Sequence, residues 1–449
     1  MPNLLWIRIA ALYFPLLAAI LAALAHPRSK RIFASCLLSI LWTLPTLVLL
    51  QRVNLIMHWW SFSNITPALS GMPLELYIGW TILWGCVPIL TFRRLSIPEV
   101  LIVFGALDLW LMPLCSPLLK LTGPQWLIGE AAAILLVLTP AYCLARWTLD
   151  NTHLPLRVAL QATLSGLLFL FLLPELAFAL RPTPSIDFVW HPLFRMPQPL
   201  LAGALQCVAI AALPGISAAQ EFAQRGLGTP IPYDPPQRLV TSGIYRYCAS
   251  PMQLSCTVVT FLWALALHNP WLIFAASIAA VYSAGIAHWD EGRDLGHRFG
   301  ESWQRYRTAV PVWRFRWHPY HSGQPDRLYI SRTCGQCSVI RQWIEAHNPI
   351  GLTLIDAEAL PQGSIRRMRY HPADGTPPQG GLLAFARALE HINLYWAWCG
   401  MILRLPILHQ ALQLLLDFSG FGPRTIVSAC APIPSSQNKS GANIPTSRP

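Results

Sequence analysis

Two sets of residues in this chain have types and spacings suited to chemistry. One is compact, Cys334-Gly-Gln-Cys337. The other is split between GLGTPIPYDPPQRLVTSGIYRYCASPMQ, residues 226–253, and HWDEGRDLGHRFGESWQRYRTAVP, residues 288–311. In the first half, Gly226, Gly228, Pro230, Pro232, Pro235 and Pro236 predict a rigid, turn-rich loop. Gly243 in LVTSGIYRY permits close approach of the backbone. Pro251 suits the first turn of a helix, and the free N–H groups of such a turn can hold a carboxylate. In the second half, Asp290 and Glu291 are acidic partners for an amino group. Together the halves offer both partners that a zwitterionic amino-acid end needs.

S-adenosylmethionine carries such an end, so the expected chemistry of the split set is binding of a methyl donor. Its sulfonium is already activated. Alignment and exclusion of water then matter more than acid–base help, and no catalytic triad is expected. Arg246, Arg293, Arg298 and Arg305 either hold an anionic acceptor head group or face lipid phosphates. The compact set follows a strand candidate, RLYIS (327–331), and opens a helix candidate, 338–347. A Cys at a helix N-terminus has a lowered pKa and acts as a thiolate. Strand–CxxC–helix therefore reads as a thioredoxin-like redox site. A structural pair and half of a zinc site are the alternatives. No second pair follows, and only Cys399 and nearby His residues remain to complete a zinc set, so no metal is expected.

The elements that must position these groups are mostly apolar. The chain has 449 residues, is 54% hydrophobic and only 12% charged, and carries a net charge of +12. A soluble protein has about twice that charged fraction. The positive charge is spread between apolar runs, which fits loops beside anionic lipid and excludes nucleic acid as the expected partner. Most of the 11 Cys sit singly in apolar runs, so no disulfide framework is expected. The N-terminus lacks a signal-peptide layout and reads as a retained first span.

A spanning helix needs about 20 apolar residues. Nine stretches qualify: 4–25, 33–51, 74–92, 98–119, 125–145, 157–180, 199–219, 252–268 and 270–288. The last two join through Asn269-Pro270 as a tight hairpin. Lys and Arg in the short loops set the orientation. After the odd-numbered spans come Arg28, Lys30, Arg31, Arg93, Arg94, Arg146, Arg157, Arg225, Arg238 and Arg246; after the even-numbered ones come only Arg52, Lys120, Arg181 and Arg195. This places the N-terminus outside and both polar segments on the cytoplasmic face of the inner membrane. Glu99, Glu130 and Glu175 lie near span ends and are expected to reach water, whereas Asp108 is deep and has no evident partner. Trp59, Trp60 and the loop 186–197 are expected as interfacial aromatics, and Trp313–Ser322 as a membrane-surface strap.

Beyond Asp326 a small cytoplasmic α/β unit is expected. LTLID (352–356) is its second strand, and 382–391 and 394–418 are helices, the latter apolar enough to lie on a membrane. The tail from Pro432 reads as disordered.

GTPIPYDPPQRLVTSGIYRYCASPMQL followed by DEGRDLGHRFGESWQRYRTAVP resembles the isoprenylcysteine carboxyl methyltransferase-like integral-membrane methyltransferases, over about residues 200–315. The resemblance implies S-adenosylmethionine at the cytoplasmic face and a lipophilic acceptor entering from the bilayer. Under it, Gln237, Arg238, Leu239, Val240 and Tyr245 fall on cofactor-contacting positions, with Thr241 and Gly243 in the same loop. Ser250, Pro251, Met252 and Gln253 fall on the second contact run, and Glu291 on the acidic position. Ala249, Ser250, Gln253, Ser255 and Ala287 depart from the family's usual residues. Residues 326–424 resemble the bacterial DCC-type thiol-disulfide oxidoreductases, on the strand–CxxC–helix start, ADGTPPQGGLLAFARALE and WAWCGMILRLP. That resemblance implies redox catalysis by Cys334 and Cys337 with a thiol or disulfide partner; Ser331-Arg332-Thr333 stands where the family has Asp-Gly.

The expectation is thus a mainly α, polytopic membrane protein of about nine spans with a small C-terminal α/β thioredoxin-like domain. Its segments are an N-terminal transmembrane region (1–197), a methyltransferase-like core (198–318), a domain with the CxxC (319–430) and a tail (431–449). The expected function is S-adenosylmethionine-dependent methyl transfer to a lipophilic acceptor. The alternatives are a membrane-tethered thiol-disulfide oxidoreductase on an inactive methyltransferase scaffold, or a transporter or assembly factor.

Overall fold

The computed structural model describes residues 2–25, 29–179, 186–231, 234, 236–360 and 366–423. Arg28, Arg181, Pro232, Pro235, the side chains of Ala287 and Asp290, and the tail from Pro432 lie outside the described residues. The chain divides into two compact units, Met1–Tyr320 and His321–Pro449. Segments 1–197 and 198–318 both lie within the first.

The first unit is helical. Among the described residues, seven helices are long and apolar enough to cross a membrane. Six come first: α1 (Leu4–Leu24), α2 (Lys30–Met57), α3 (Leu74–Thr91), α4 (Ile97–Leu114), α5 (Gly123–Leu149) and α6 (Leu154–Ala179). A shorter helix, α7 (Ile186–Arg195), precedes the seventh, α8 (Gln198–Gly226). Local chemistry sets several boundaries. At the start of α4, Glu99 Oε2 accepts from the Ser96 backbone N–H at 2.7 Å and from its hydroxyl at 2.8 Å, a capping box.

The last two expected spans are shorter than a full crossing. Helix α9 (Pro251–Ala266) has 16 residues, a rise of about 24 Å, against a hydrocarbon core of about 30 Å. The next helix, α10 (Pro270–Gly285), is also short, so nine expected spans become seven long helices and a short hairpin. Asn269 caps α10, accepting from the Trp271 N–H at 3.1 Å. The returning helix runs on past the apolar span 270–288. It passes through a π turn at Ser283–Ala287 and continues as α11 (His288–Ala309), broken only by non-helical Gly300. Ion pairs one turn apart support this polar extension, Asp294–Arg298 at 3.3 Å and Glu301–Arg305 at 3.7 Å.

Burial overturns several expectations. Trp59 and Trp60 are buried. Strand β1 (Trp60–Phe62), held against the later strand Leu119–Leu121, draws them under the bundle, and the Trp60 indole N–H donates to Gln51 at 3.3 Å. Residues 186–195 are helix α7, whose Trp190 packs on Phe171 and Trp263. Glu99 is exposed, but Glu130 and Glu175 are buried. Arg52 on α2 reaches across to pair with Glu175, and Asp108 accepts from the Trp84 indole at 3.1 Å. Glu130 joins Gln51, Trp60 and Trp84 around a small cavity. Sequence position near a span end did not reveal that neighbouring helices cover that end.

After the short strands β2 (Ala68–Leu69) and β3 (Met72–Pro73), and β4 (Leu119–Leu121), the remaining strands all belong to the second unit. They are β5 (Asp326–Ile330), β6 (Leu352–Asp356), β7 (Arg369–His371) and β8 (Gln379–Gly380), in the order β6-β5-β7-β8. β6 runs parallel to β5, with Asp326 opposite Leu352; β7 and β8 are antiparallel additions. Helix α12 (Gly335–Ala346) makes the crossover that a parallel pair requires. Leu328, Ile344, Leu352, Tyr370, Ala384 and Ala388 form the core. Three helices follow: α13 (Leu382–Leu389), α14 (Leu394–Leu403) and α15 (Pro406–Leu416). The expected single helix 394–418 is broken, and its halves are bent by 85°. Pro406 begins α15, and the Arg404 side chain turns inward to Glu390, which also binds Arg387 at 3.2 Å.

Candidate functional site

The two polar segments of the first unit meet. The hairpin α9–α10 returns the chain, and residues 246–250 pair by backbone with 311–320. The Ala249 N–H donates to Pro311 at 2.8 Å and Ser250 to Val312 at 3.3 Å; in return, Arg316 donates to Tyr247 at 3.0 Å and Tyr320 to Arg246 at 2.9 Å. The expected surface strap is therefore part of the site's frame, because its backbone satisfies that of the loop.

The loop is fixed from three sides. The Gln237 N–H donates to the Gly226 carbonyl at 2.7 Å, and Arg238 to the same oxygen at 3.4 Å. Asp234 accepts from buried Arg157 at 2.7 Å and from Thr229 at 2.9 Å. Arg298 on α11 donates to the Pro236 carbonyl at 2.5 Å. Gln237 and Arg238 are exposed, Leu239 and Thr241 half-buried, and Val240 buried against Gly226. Gly243 has φ +58°, and a Cβ there would stand 2.7 Å from the Glu221 carboxyl carbon. Only glycine fits this turn.

Tyr245 is the centre of this arrangement. Its ring stacks on Phe222, 5.4 Å between centroids, and its carbonyl accepts from the Tyr306 hydroxyl at 2.8 Å. Its own hydroxyl is buried and has no partner among the described residues. Ser250 is the N-cap residue of α9 and Pro251 follows in its first turn. Met252 and Gln253 are half-buried, and the Gln253 side-chain carbonyl is also buried and has no partner among the described residues. Glu291 stands in α11, three residues before Asp294 of the acidic–basic pair Asp294–Arg298. Burial pushes its pKa up; Arg307 opposes this and Asp294 adds to it. Burial also raises the phenols of Tyr245 and Tyr306 well above the usual range, with the nearby Glu291 charge acting on both. So Tyr245, Tyr306 and Glu291 share one neighbourhood.

Sequence reasoning missed Glu221 and Tyr306. Glu221 is fully buried, accepts from Ser242 at 2.7 Å and pairs with Arg225 at 3.3 Å. Its i,i+4 spacing to Arg225 was a visible signal. Tyr306 carried none, since its role is a contact to a carbonyl 61 positions away.

In the second unit, Cys334 is the N-cap residue of α12 and Cys337 lies in its first turn. Both are partly exposed. The loop ahead of them closes on the carboxylate of Glu358, just after β6. Glu358 Oε1 accepts from the Ser331 hydroxyl at 2.6 Å, the Arg332 and Thr333 N–H groups at 2.9 and 3.0 Å, and the Thr333 hydroxyl at 2.9 Å. Ser331 then accepts from the Cys334 N–H at 3.2 Å. Burial works against the Glu358 charge, but these donors outweigh it and hold its pKa at about 2. Glu358 was not anticipated from sequence.

The two cysteines line a cavity of about 430 Å³. Apolar side chains of α12, α13 and α15 make most of its wall, Ile340, Leu382, Phe385, Leu412 and Leu416 among them. Gly381, at φ +61°, lets Gln413 reach the α13 N-terminus, where it accepts from Leu382 N–H at 2.8 Å. Gln413 then donates to Asp417 at 2.9 Å, and Asp417 accepts from Arg367 at 2.6 Å. This chain holds α15 over the cysteines. Among the described residues no cluster of three or more His, Cys, Asp or Glu is arranged to hold a metal. Compared with protein-family models, curated proteins and solved structures, the chain matches none.

Proposed function

We propose that the first unit is a membrane-embedded, S-adenosylmethionine-dependent methyltransferase acting on a lipophilic acceptor, with its polar face on the cytoplasmic side of the inner membrane. One observation carries this reading. The Tyr245 hydroxyl and the Gln253 carbonyl are buried without partners among the described residues, and the desolvated carboxyl of Glu291 lies near the first of them. Buried polar groups are normally satisfied, so two orphans in the segment expected to bind a polar ligand fit that ligand. Glu291 would hold its amino group, the first turn of α9 its carboxylate, and the 237–245 backbone the remainder. When bound, the cofactor supplies an activated methyl group. The residues around it orient donor and acceptor and exclude water.

Calorimetry on the protein in lipid nanodiscs tests this. The wild type should bind S-adenosylmethionine, and Glu291→Ala should weaken binding by about 10- to 100-fold, the worth of a charged hydrogen bond. Because the Glu291 pKa is raised and its anion is the binding form, affinity should increase with pH through that raised value. Absence of both heat and thermal shift with the wild type would sink the proposal.

A second reading is favoured by the dithiol. The sheet order β6-β5-β7-β8, with a CxxC between the parallel strands and at a helix N-terminus, supports a thioredoxin-like unit with thiol-disulfide activity. On this reading Cys334 is the attacking thiol and Cys337 resolves. Reduction of a small soluble disulfide by the pre-reduced protein tests it, with Cys334→Ser as the inactive control.

A further inference from the structure

The dithiol opens into an unusual place for a protein-disulfide partner. A polypeptide brings N–H and C=O groups that need hydrogen bonds when buried. The walls formed by Ile340, Leu382, Phe385, Leu412 and Leu416 offer none from their side chains, and the polar side chains on the lining are few, Ser331, Gln336, Arg366, Arg367 and Gln413. About 430 Å³ falls within the range of small-molecule sites, roughly 300–1,000 Å³. The helix that closes the cavity, α15, and the turn after it expose apolar residues outward: Ile407 is 86% exposed and Phe418 89%. Such a surface suits contact with lipid, from which a lipophile can reach the cavity. To react with two thiols the occupant must accept two electrons, which a plain acyl chain cannot do. Gln336 and Arg366, also on the lining, are hydrogen-bond donors suited to ring oxygens.

We infer that this cavity binds a lipid-soluble quinone and that Cys334 and Cys337 reduce it. The inference rests on the dithiol reading above. Cys334 Sγ adds to the quinone ring, and Cys337 Sγ then attacks Cys334 Sγ. The S–S bond forms as the carbon–sulfur bond breaks, and two electrons pass to the ring. The two thiol protons end on the quinol oxygens. One quinone is consumed per dithiol, and a thiol substrate must reduce the disulfide before the next turnover.

The test uses pre-reduced full-length protein in nanodiscs with two oxidants. One is a fully substituted benzoquinone bearing a decyl tail, whose ring takes a thiolate reversibly but has no ring hydrogen to lose and so cannot keep it as a stable thioether. The other is bis(2-hydroxyethyl) disulfide. The wild type should convert one quinone to quinol, read by ultraviolet absorbance, for each Cys334–Cys337 disulfide found by mass spectrometry. Leu416→Trp, which fills the cavity, should lower the ratio of quinone rate to soluble-disulfide rate at least tenfold; Leu412→Trp should do the same and guards against misfolding of the first variant. Reaction with the soluble disulfide but not the quinone overturns the quinone inference and leaves the dithiol reading standing. An unchanged ratio in both variants also overturns it. No reaction with either oxidant overturns the dithiol reading and the inference with it.

Discussion

The two candidate sites are built in opposite ways. The dithiol of the second unit is local. Its two sulfurs lie within four residues, one strand delivers them and one helix begins on them. The polar site of the first unit is distributed. Its loop, helix start and acidic residue come from three stretches, and a backbone ladder between residues 246–250 and 311–320 draws them together. A local site depends mainly on its own turn. A distributed site depends on every element that fixes the distance between its parts. Even the local site leans on one distant group, Glu358, which gathers four donors from residues 331–333.

That contrast can be broken by substitution. The largest effect is expected at the dithiol: Cys334→Ser should remove turnover of a soluble disulfide, by more than about 100-fold, since no other thiol completes the CxxC. It should leave S-adenosylmethionine binding untouched, and loss of that binding would mean the two sites are not independent.

Gly243→Ala comes next. It forces a side chain into positive φ, costing about 1–2 kcal/mol, and drives the new Cβ against the buried Glu221. Thermal unfolding should fall and S-adenosylmethionine affinity should drop with it. Full retention of both would show that the turn does not frame the site.

Glu358 sharpens the comparison through pH. Its folded pKa of about 2 lies below the roughly 4.3 of an unfolded Glu. The stability it contributes is therefore fully present above about pH 4.3 and is lost as pH falls toward 2. Glu358→Gln should cost about 1–3 kcal/mol at neutral pH and flatten the acid limb of the unfolding curve. It should also slow the dithiol, because the loop ahead of Cys334 loses its anchor. An unaltered acid limb would remove Glu358 from this role.

The smallest effect is expected at the hairpin. Asn269→Ala deletes the cap of α10 and should cost about 1 kcal/mol, read by thermal unfolding in the same nanodiscs. A much larger loss would mean the short hairpin carries the site more directly than a cap can.

Much of the architecture was legible in the chain. Apolar runs of spanning length gave seven helices their places, because a helix in lipid must satisfy its own backbone and leaves a long apolar signature. Strand, CxxC and helix were read in order, since alternating and helical periodicities act over a few residues. Strands β7 and β8, of three and two residues, carry too little pattern to be seen; the break before Pro406 had a local signal, because proline ends the preceding helix, but the burial of Arg404 against Glu390 did not.

Residue order alone showed which stretches are apolar, where the CxxC lies, and which polar segments flank the apolar hairpin. Hydrophobic period and residue type are local properties, readable without a fold. Packing alone showed that Trp59, Trp60, Glu130 and Glu175 are covered, and that Tyr245 and Gln253 end with buried oxygens that have no partner among the described residues. It also set the cavity of about 430 Å³ against the dithiol. Burial and satisfaction of a polar group depend on what packs against it from far along the chain, and that is fixed only when the elements meet.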